Sequence, residues 1–223
     1  QMFTGIIQAI GTLVGVERRA GDRRLHVETG ELALAEVRLG DSIATNGVCL
    51  TVAALPGNGF VADVSRETLS LTTLAELQPG SLLNLEKALT LNTPLGGHLV
   101  SGHIDGVGQV LQRRNDARSV RFQIEAPGEL ARYIAHKGSI CVDGTSLTVN
   151  TVDNRRFELN IVPHTLQETI VAWYQPGRKV NLAVDLVARY LERLLQGEQA
   201  AQCGNQGVTL EKLMDSGFFD DGG

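Results

Sequence analysis

The chain says nearly the same thing twice. Shifted by 97 positions with no gap, residues 3–89 align with residues 100–186, and 23 of the 87 pairs are identical. About five or six would be expected from average amino-acid usage. The densest match sets Asn46-Gly47-Val48-Cys49-Leu50-Thr51-Val52 against Asp143-Gly144-Thr145-Ser146-Leu147-Thr148-Val149, and Gln78-Pro79-Gly80 against Gln175-Pro176-Gly177 extends it. A duplication of this length leaves few choices: two copies of one domain, each long enough to bury its own core but modest in stability alone. The expected division is an N-terminal domain over residues 2–97, its copy over 98–186, and a tail over 187–223.

Within one copy the pattern is that of short strands. Residues 3–16 are apolar and small, and Leu25 to Val27 follows the polar turn Ala20-Gly21-Asp22, as in a hairpin. Segments 42–44, 48–55, 60–64 and 82–89 supply further strands, while 31–39 and 66–77 have the composition of short helices. Asn46-Gly47 is a strong hairpin-turn dipeptide, so Cys49 and Thr51 fall just past a tight turn. Six short strands with dense turn signals predict a closed all-β barrel, because closure removes exposed edges. After the repeat, Leu186, Val187, Tyr190, Leu191, Leu194 and Leu195 form the stripe of an amphipathic helix, to be buried on the barrels or on a neighbouring chain. Leu210, Leu213 and Met214 predict one or two further turns within 209–219.

A net charge of -5 and a pI near 5.6 argue against a surface built to attract nucleic acid or anionic lipid. Arg18-Arg19 and Arg113-Arg114 read as solvated hairpins. No apolar run approaches about 18 residues and no basic segment leads into one, so neither a membrane span nor a signal peptide is expected, and the protein is expected to be soluble and cytoplasmic. Cys49, Cys141 and Cys203 lack a Cys-x-x-Cys, which disfavours both a disulfide framework and a thiolate zinc site. Cys141, in an apolar pattern, reads as a small core residue.

Polar positions keep close chemistry between the halves. Thr4 aligns with Ser101, Ser42 with Ser139, Asn46 with Asp143, Cys49 with Ser146, Thr51 with Thr148, Asp63 with Asn160, Thr68 with Thr165 and Asn84 with Asn181. Each alone is explained as well by hydroxyl-to-backbone bonding in turns; together they predict two related polar pockets. A second set differs: Ile6 against His103, Gly40 against Lys137, Glu67 against His164, Ala88 against Asp185. Ionisable groups concentrate in the second half, as if one pocket binds while its twin binds and reacts. His98 and His103, five apart on a Gly-rich stretch, lack the spacing of a metal pair, and no dinucleotide, P-loop or nucleophile-elbow motif is present.

Met2-Phe3-Thr4-Gly5-Ile6-Ile7, the block at 46–52, Gly96-Gly97-His98 with Ser101-Gly102-His103-Ile104-Asp105-Gly106, and Lys137-Gly138-Ser139-Ile140 running into the block at 143–149 resemble, in order and spacing, the riboflavin synthase family. The resemblance covers nearly all of residues 2–196 and implies two tandem six-stranded Greek-key barrels and a homotrimer joined through the C-terminal helix. It implies a dismutation in which two molecules of 6,7-dimethyl-8-ribityllumazine exchange a four-carbon unit, with no cofactor and no metal. Each active site is expected where the first barrel of one protomer meets the second barrel of the next.

By motif, the resemblance assigns Gly5, Ile6, Ile7, Cys49, Leu50, Thr51, Asp63, Val64, Ser65, Arg66, Glu67 and Thr68 to a first-barrel pocket. It assigns Gly102, His103, Ile104, Lys137, Ser146, Leu147, Thr148, Val162, Pro163, His164, Thr165, Leu166 and Gln167 to its twin. His103 and Thr148 are expected to assist deprotonation of a ring methyl, and Ser146, Cys49 and Asp185 to orient or activate the attacking group. Ser65-Arg66 departs from the family pattern, where a bulkier apolar residue is commoner. Two rivals remain at this stage: a non-catalytic lumazine- or flavin-binding protein of the same fold, and a purely structural twin-barrel module. Formation of riboflavin from the lumazine discriminates among the three.

Overall fold

A computed structural model describes residues 1–197; Cys203 and the segment 209–219 lie outside the described residues. Twelve antiparallel strands close two barrels. In the first, β1 (Ala9–Arg19), β2 (Asp22–Glu28), β3 (Ser42–Thr45), β4 (Val48–Ala54), β5 (Gly59–Val64) and β6 (Leu82–Lys87) are hydrogen-bonded in the order β1-β2-β5-β4-β3-β6, a Greek key. In the second, β7 (Gly106–Asp116), β8 (Ser119–Glu125), β9 (Ser139–Val142), β10 (Thr145–Asp153), β11 (Arg156–Ile161) and β12 (Lys179–Val184) repeat that order. Alternation along the strands sends one face inward, and each barrel fills its own core, around Leu13, Leu25, Phe60 and Leu83 in one and Val110, Phe122, Phe157 and Leu182 in the other. A smaller cluster of Phe3, Ala44, Val100, Cys141 and Ala183 lies between them. Cys141 is buried there, and burial pushes its thiol pKa up, which makes it an inert core residue.

Two sequence expectations give way. Residues 31–39 form turns rather than a helix, with Leu32 buried beneath them; Gly30 and Gly40, both at left-handed φ (+57° and +90°), turn the chain at either end. The helix expected over 66–77 is split into α1 (Arg66–Leu71) and a 3-10 turn at Thr73–Glu76. Thr72 splits it: its hydroxyl donates to the Thr68 carbonyl at 2.7 Å and accepts from the Leu74 N–H at 3.3 Å. Thr169 does the same between α2 (Pro163–Glu168) and the turn at Ile170–Trp173, so this identical pair is a structural punctuation mark. The stripe after the repeat forms α3 (Leu186–Leu195), and Val187, Tyr190, Leu191, Leu194 and Leu195 are all exposed. Among the described residues no helix is long and apolar enough to cross a membrane.

The barrels are joined by reciprocal bonds. Asn84 of β6 donates to the Asp143 carbonyl at 2.8 Å and accepts from the Ile170 N–H at 2.8 Å. Its twin Asn181 of β12 donates to the Asn46 carbonyl at 2.9 Å and accepts from the Thr73 N–H at 2.8 Å. Each buried carboxamide thus pairs backbone groups of the opposite barrel, as a pseudo-twofold axis requires. The hairpin turns Asn46-Gly47 and Asp143-Gly144 meet back to back on that axis, where a Cβ on Gly47 would stand 2.7 Å from the Gly144 nitrogen and one on Gly144 would stand 2.8 Å from the Gly47 nitrogen. This is why both copies carry glycine there.

Replacing Asn84 by Leu should strip partners from the Asp143 carbonyl and the Ile170 N–H without altering volume much. With about 1–3 kcal/mol for each buried group left unpaired, a loss of about 3–5 kcal/mol is expected in urea denaturation. A midpoint within error of the parent would refute this role.

Candidate active site

The segments that precede the two barrels cross over before joining them. Phe3 and Val100 pair antiparallel across the axis, Phe3 N–H to the Val100 carbonyl at 2.8 Å and Val100 N–H to the Phe3 carbonyl at 3.0 Å. Each segment therefore runs onto the other barrel. The Gly5 carbonyl accepts from Ser146 N–H at 2.7 Å, and the Gly102 carbonyl accepts from Cys49 N–H at 2.8 Å. Both glycines have left-handed φ, +75° and +77°, and a Cβ on either would lie 2.6 Å from the Cβ of the residue it meets. Ile104 packs against the first core, and Ile7 approaches Gly144 of the second barrel.

This corrects the sequence expectation, which grouped Gly5, Ile6 and Ile7 with Cys49, and Gly102, His103 and Ile104 with Ser146. On the first barrel, Val48, Cys49, Glu67, Thr68, Leu71, Gly102, His103 and Ile104 line a small cleft of about 190 Å³. His103 thus stands with Cys49, not with Ser146 and Asp185. Across the axis, Gly5 and Gly97 press on Ser146. The physical reason is the Phe3–Val100 pairing: two antiparallel strands on a twofold axis must diverge to opposite sides.

The remaining expected residues divide by burial. Thr51 and Thr148 are exposed on β4 and β10, two residues beyond Cys49 and Ser146. Leu50, Val64 and Leu147 belong to the barrel cores, so only their backbone faces the rim. Asp63 is held by Arg24 in a two-point ion pair, Nε to Oδ1 at 2.7 Å and Nη2 to Oδ2 at 2.6 Å, and that contact keeps its carboxyl below the usual range. Ser65 caps α1 by accepting from Thr68 N–H, and the Arg66 N–H donates to Asp22 at 2.9 Å. Val162, Pro163 and His164 are exposed at the start of α2 and Gln167 near its end, with Thr165 and Leu166 half-buried between them. Lys137 is exposed with φ +64°, where its twin Gly40 has +90°. Asn46, Asp143, Asn84 and Asn181 bond one another at the seam between the barrels. Burial raises the Asp143 carboxyl from its ordinary 3.8 to about 6, and the bond from the Tyr174 hydroxyl at 2.6 Å opposes that shift.

Two buried side chains beside the site have no assigned place in the sequence-based pockets. Glu86, whose twin is Ala183, is buried and accepts from Thr4 N–H at 2.7 Å, Thr4 hydroxyl at 2.6 Å and Gly5 N–H at 3.0 Å. It latches the crossing segment; burial pushes its carboxyl pKa up and those bonds pull it back. His98, which the sequence offers as part of the Gly96-Gly97-His98 motif and as half of a metal pair without the right spacing, places Nδ1 2.6 Å from the Ser146 hydroxyl oxygen. Burial pushes the imidazole pKa down, and the negative charge of Asp185 opposes this. No local pattern announces either contact, since partners lie 48 and 82 residues away. Among the described residues, no three His, Cys, Asp or Glu side chains are gathered to hold a metal ion.

The cleft on the first barrel thus gathers Cys49, Glu67, Thr68 and His103, while on the second barrel Ser146 bonds His98, whose imidazole feels the negative charge of Asp185. A family model described as a lumazine binding domain matches the chain twice, over residues 4–88 and 101–185. The protein is thus of the tandem lumazine-binding-barrel class. It is 48% identical to the riboflavin synthase of Photobacterium phosphoreum over 218 residues, 98% of this chain and 100% of that one. It is also 44% identical to that of Mycobacterium tuberculosis over 199 residues, 87% of this chain and 98% of the other. The chain belongs to the riboflavin synthase family. A crystal structure of LumP complexed with riboflavin shares the fold, with a TM-score of 0.76 at 24% identity, over 82% of this chain and 98% of that one.

If Gly102 must lie flat on Cys49, Gly102→Ala should displace His103 and weaken lumazine binding by about tenfold or more, in line with about 1–3 kcal/mol for overpacking. Fluorescence titration measures it. Undiminished binding by a folded variant would show that the crossing segment does not shape the pocket.

Proposed function

We propose that the chain is a riboflavin synthase that converts two molecules of 6,7-dimethyl-8-ribityllumazine to riboflavin and 5-amino-6-ribitylamino-uracil. The observation that carries the reading is the duplicated rim: the Cys49 and Ser146 N–H groups each donate to a glycine carbonyl of a crossing segment, while the side chains beside them differ, Glu67 and His103 at one and His98 at the other. Two copies of one domain suit two copies of one substrate, and the differing side chains suit a donor and an acceptor of the four-carbon unit. Relatives named riboflavin synthase, 36–48% identical over nearly their full length, support it.

The chemistry asks little of external reagents. The two products together contain the atoms of two substrate molecules, so the exchange is balanced without an added oxidant or reductant, and we expect neither cofactor nor metal. Deprotonation of the ring methyl gives a delocalised carbanion, so face-to-face positioning supplies most of the acceleration and proton transfer assists. The ribityl hydroxyls suit Thr51, Thr68, Thr148 and Thr165, and the flat ring suits strand-end amides with apolar side chains on its faces. His103 and Thr148 assist the deprotonation; Cys49, Ser146 and Asp185 orient or activate the attacking group. Because the pseudo-twofold exchanges the Cys49 and Ser146 pockets, two bound lumazines meet when the first pocket of one chain faces the second of its neighbour. We assign this to a cytoplasmic homotrimer built on α3, whose exposed apolar stripe calls for a partner.

Incubation with the lumazine should yield one riboflavin and one pyrimidine product per two substrates, by fluorescence and chromatography, from a particle with the mass of three chains. Lumazine binding without riboflavin formation would contradict the reading and favour a non-catalytic binder; full turnover by a monomer would remove the inter-chain site.

A further inference from the structure

His98 is buried in a way that does not serve the fold. The residue is only 9% exposed, and its ring makes a single hydrogen bond, Nδ1 to the Ser146 hydroxyl at 2.6 Å. Nε2 is buried with no partner among the described residues. Either neutral tautomer leaves that nitrogen unpaired, as a bare donor or a bare acceptor, and an unpaired buried polar atom costs stability. An apolar side chain would fill the space without that cost.

The backbone shows that the contact is built. His98 N–H donates to the Thr4 carbonyl at 3.1 Å. The preceding Gly97 lies so close that a Cβ there would stand 2.1 Å from the Thr4 oxygen and 2.8 Å from the Ser146 Cβ. Thr4 is in turn held by Glu86. The imidazole is thus carried to Ser146 on a clamped segment rather than resting there by chance. The arrangement is also one-sided: His98 lies just ahead of the second copy, in a position that supplies no histidine to Cys49.

We propose that His98 is a positioning residue for the reaction, fixing the direction of the Ser146 hydroxyl toward the lumazine of the second pocket. This rests on the function proposed above and deepens it, because it names the group that distinguishes the second pocket from the first. Ser146 touches substrate; His98 acts through it.

Three variants of the full chain separate positioning from packing. In His98→Asn the amide stands where Nδ1 stood and keeps the bond to Ser146; in His98→Gln it reaches the place of Nε2 instead; His98→Leu fills the space and removes the unpaired nitrogen. We expect the Leu variant to be at least as stable to urea as the parent, with kcat down by about 10–100-fold, the range that misplaced reacting groups cost. The Gln variant should lose similarly, and the Asn variant should stay within about fivefold of the parent. A Leu variant with kcat within twofold of the parent would overturn the proposal, as would activity and stability lost in parallel across all three. A second readout does not need turnover: in the nitrogen spectrum of 15N-histidine-labelled protein, Ser146→Ala should move the His98 Nδ1 resonance, and an indifferent resonance overturns the contact itself. Failure of the unaltered chain to form riboflavin would instead sink the assigned activity, leaving the Ser146–His98 pairing to be judged by this spectrum.

Discussion

Two carboxamides, Asn84 and Asn181, hold the barrels in one mutual orientation, and the pockets exist only in that orientation. Each replaces water on backbone groups of the other barrel, inside a region where an unpaired amide is costly. With the seam fixed, Phe3 and Val100 pair on the axis, and the segments that follow them reach Ser146 and Cys49. Each pocket thus takes a wall from the other barrel. A lone barrel would lack the Gly5 or Gly102 carbonyl that completes its own rim.

Duplication supplies the symmetry, and a few substitutions break it where chemistry requires. Glu86 stands against Ala183, so only the N-terminal segment has a carboxylate latch. Asp185 stands against Ala88, and His98, just ahead of the second copy, bonds Ser146, so the imidazole and the negative charge near Ser146 come from positions that supply neither to Cys49. His103 stands against Ile6, and the crossover carries that histidine to Cys49. The result is an ionisable group in each pocket from different positions of the repeat. Backbone architecture stays twofold while proton chemistry does not.

Much of this was legible in the sequence. The offset of 97 gave the domain count, the strand pattern gave closed barrels, and Asn46-Gly47 located the hairpin that sets Cys49 on the rim. The crossover was not legible, because spacing within a repeat says nothing about which copy a segment packs on. The matching Asn84 and Asn181 looked like pocket polarity and proved to be the seam, since sequence cannot tell a carboxamide that binds ligand from one that binds backbone. Residues 31–39 differ for a simpler reason: composition favours helix, but the chain turns at the left-handed Gly30 and Gly40 and buries Leu32 between them.

If each binding site is a joint product of both barrels, the chain offers two of them. A crystal structure with a non-reacting lumazine analogue tests it most directly. Two analogue molecules per chain are expected, one against Cys49 and His103, the other against Ser146 with His98 behind it. One molecule per chain, or His103 found on the Ser146 side, would contradict it.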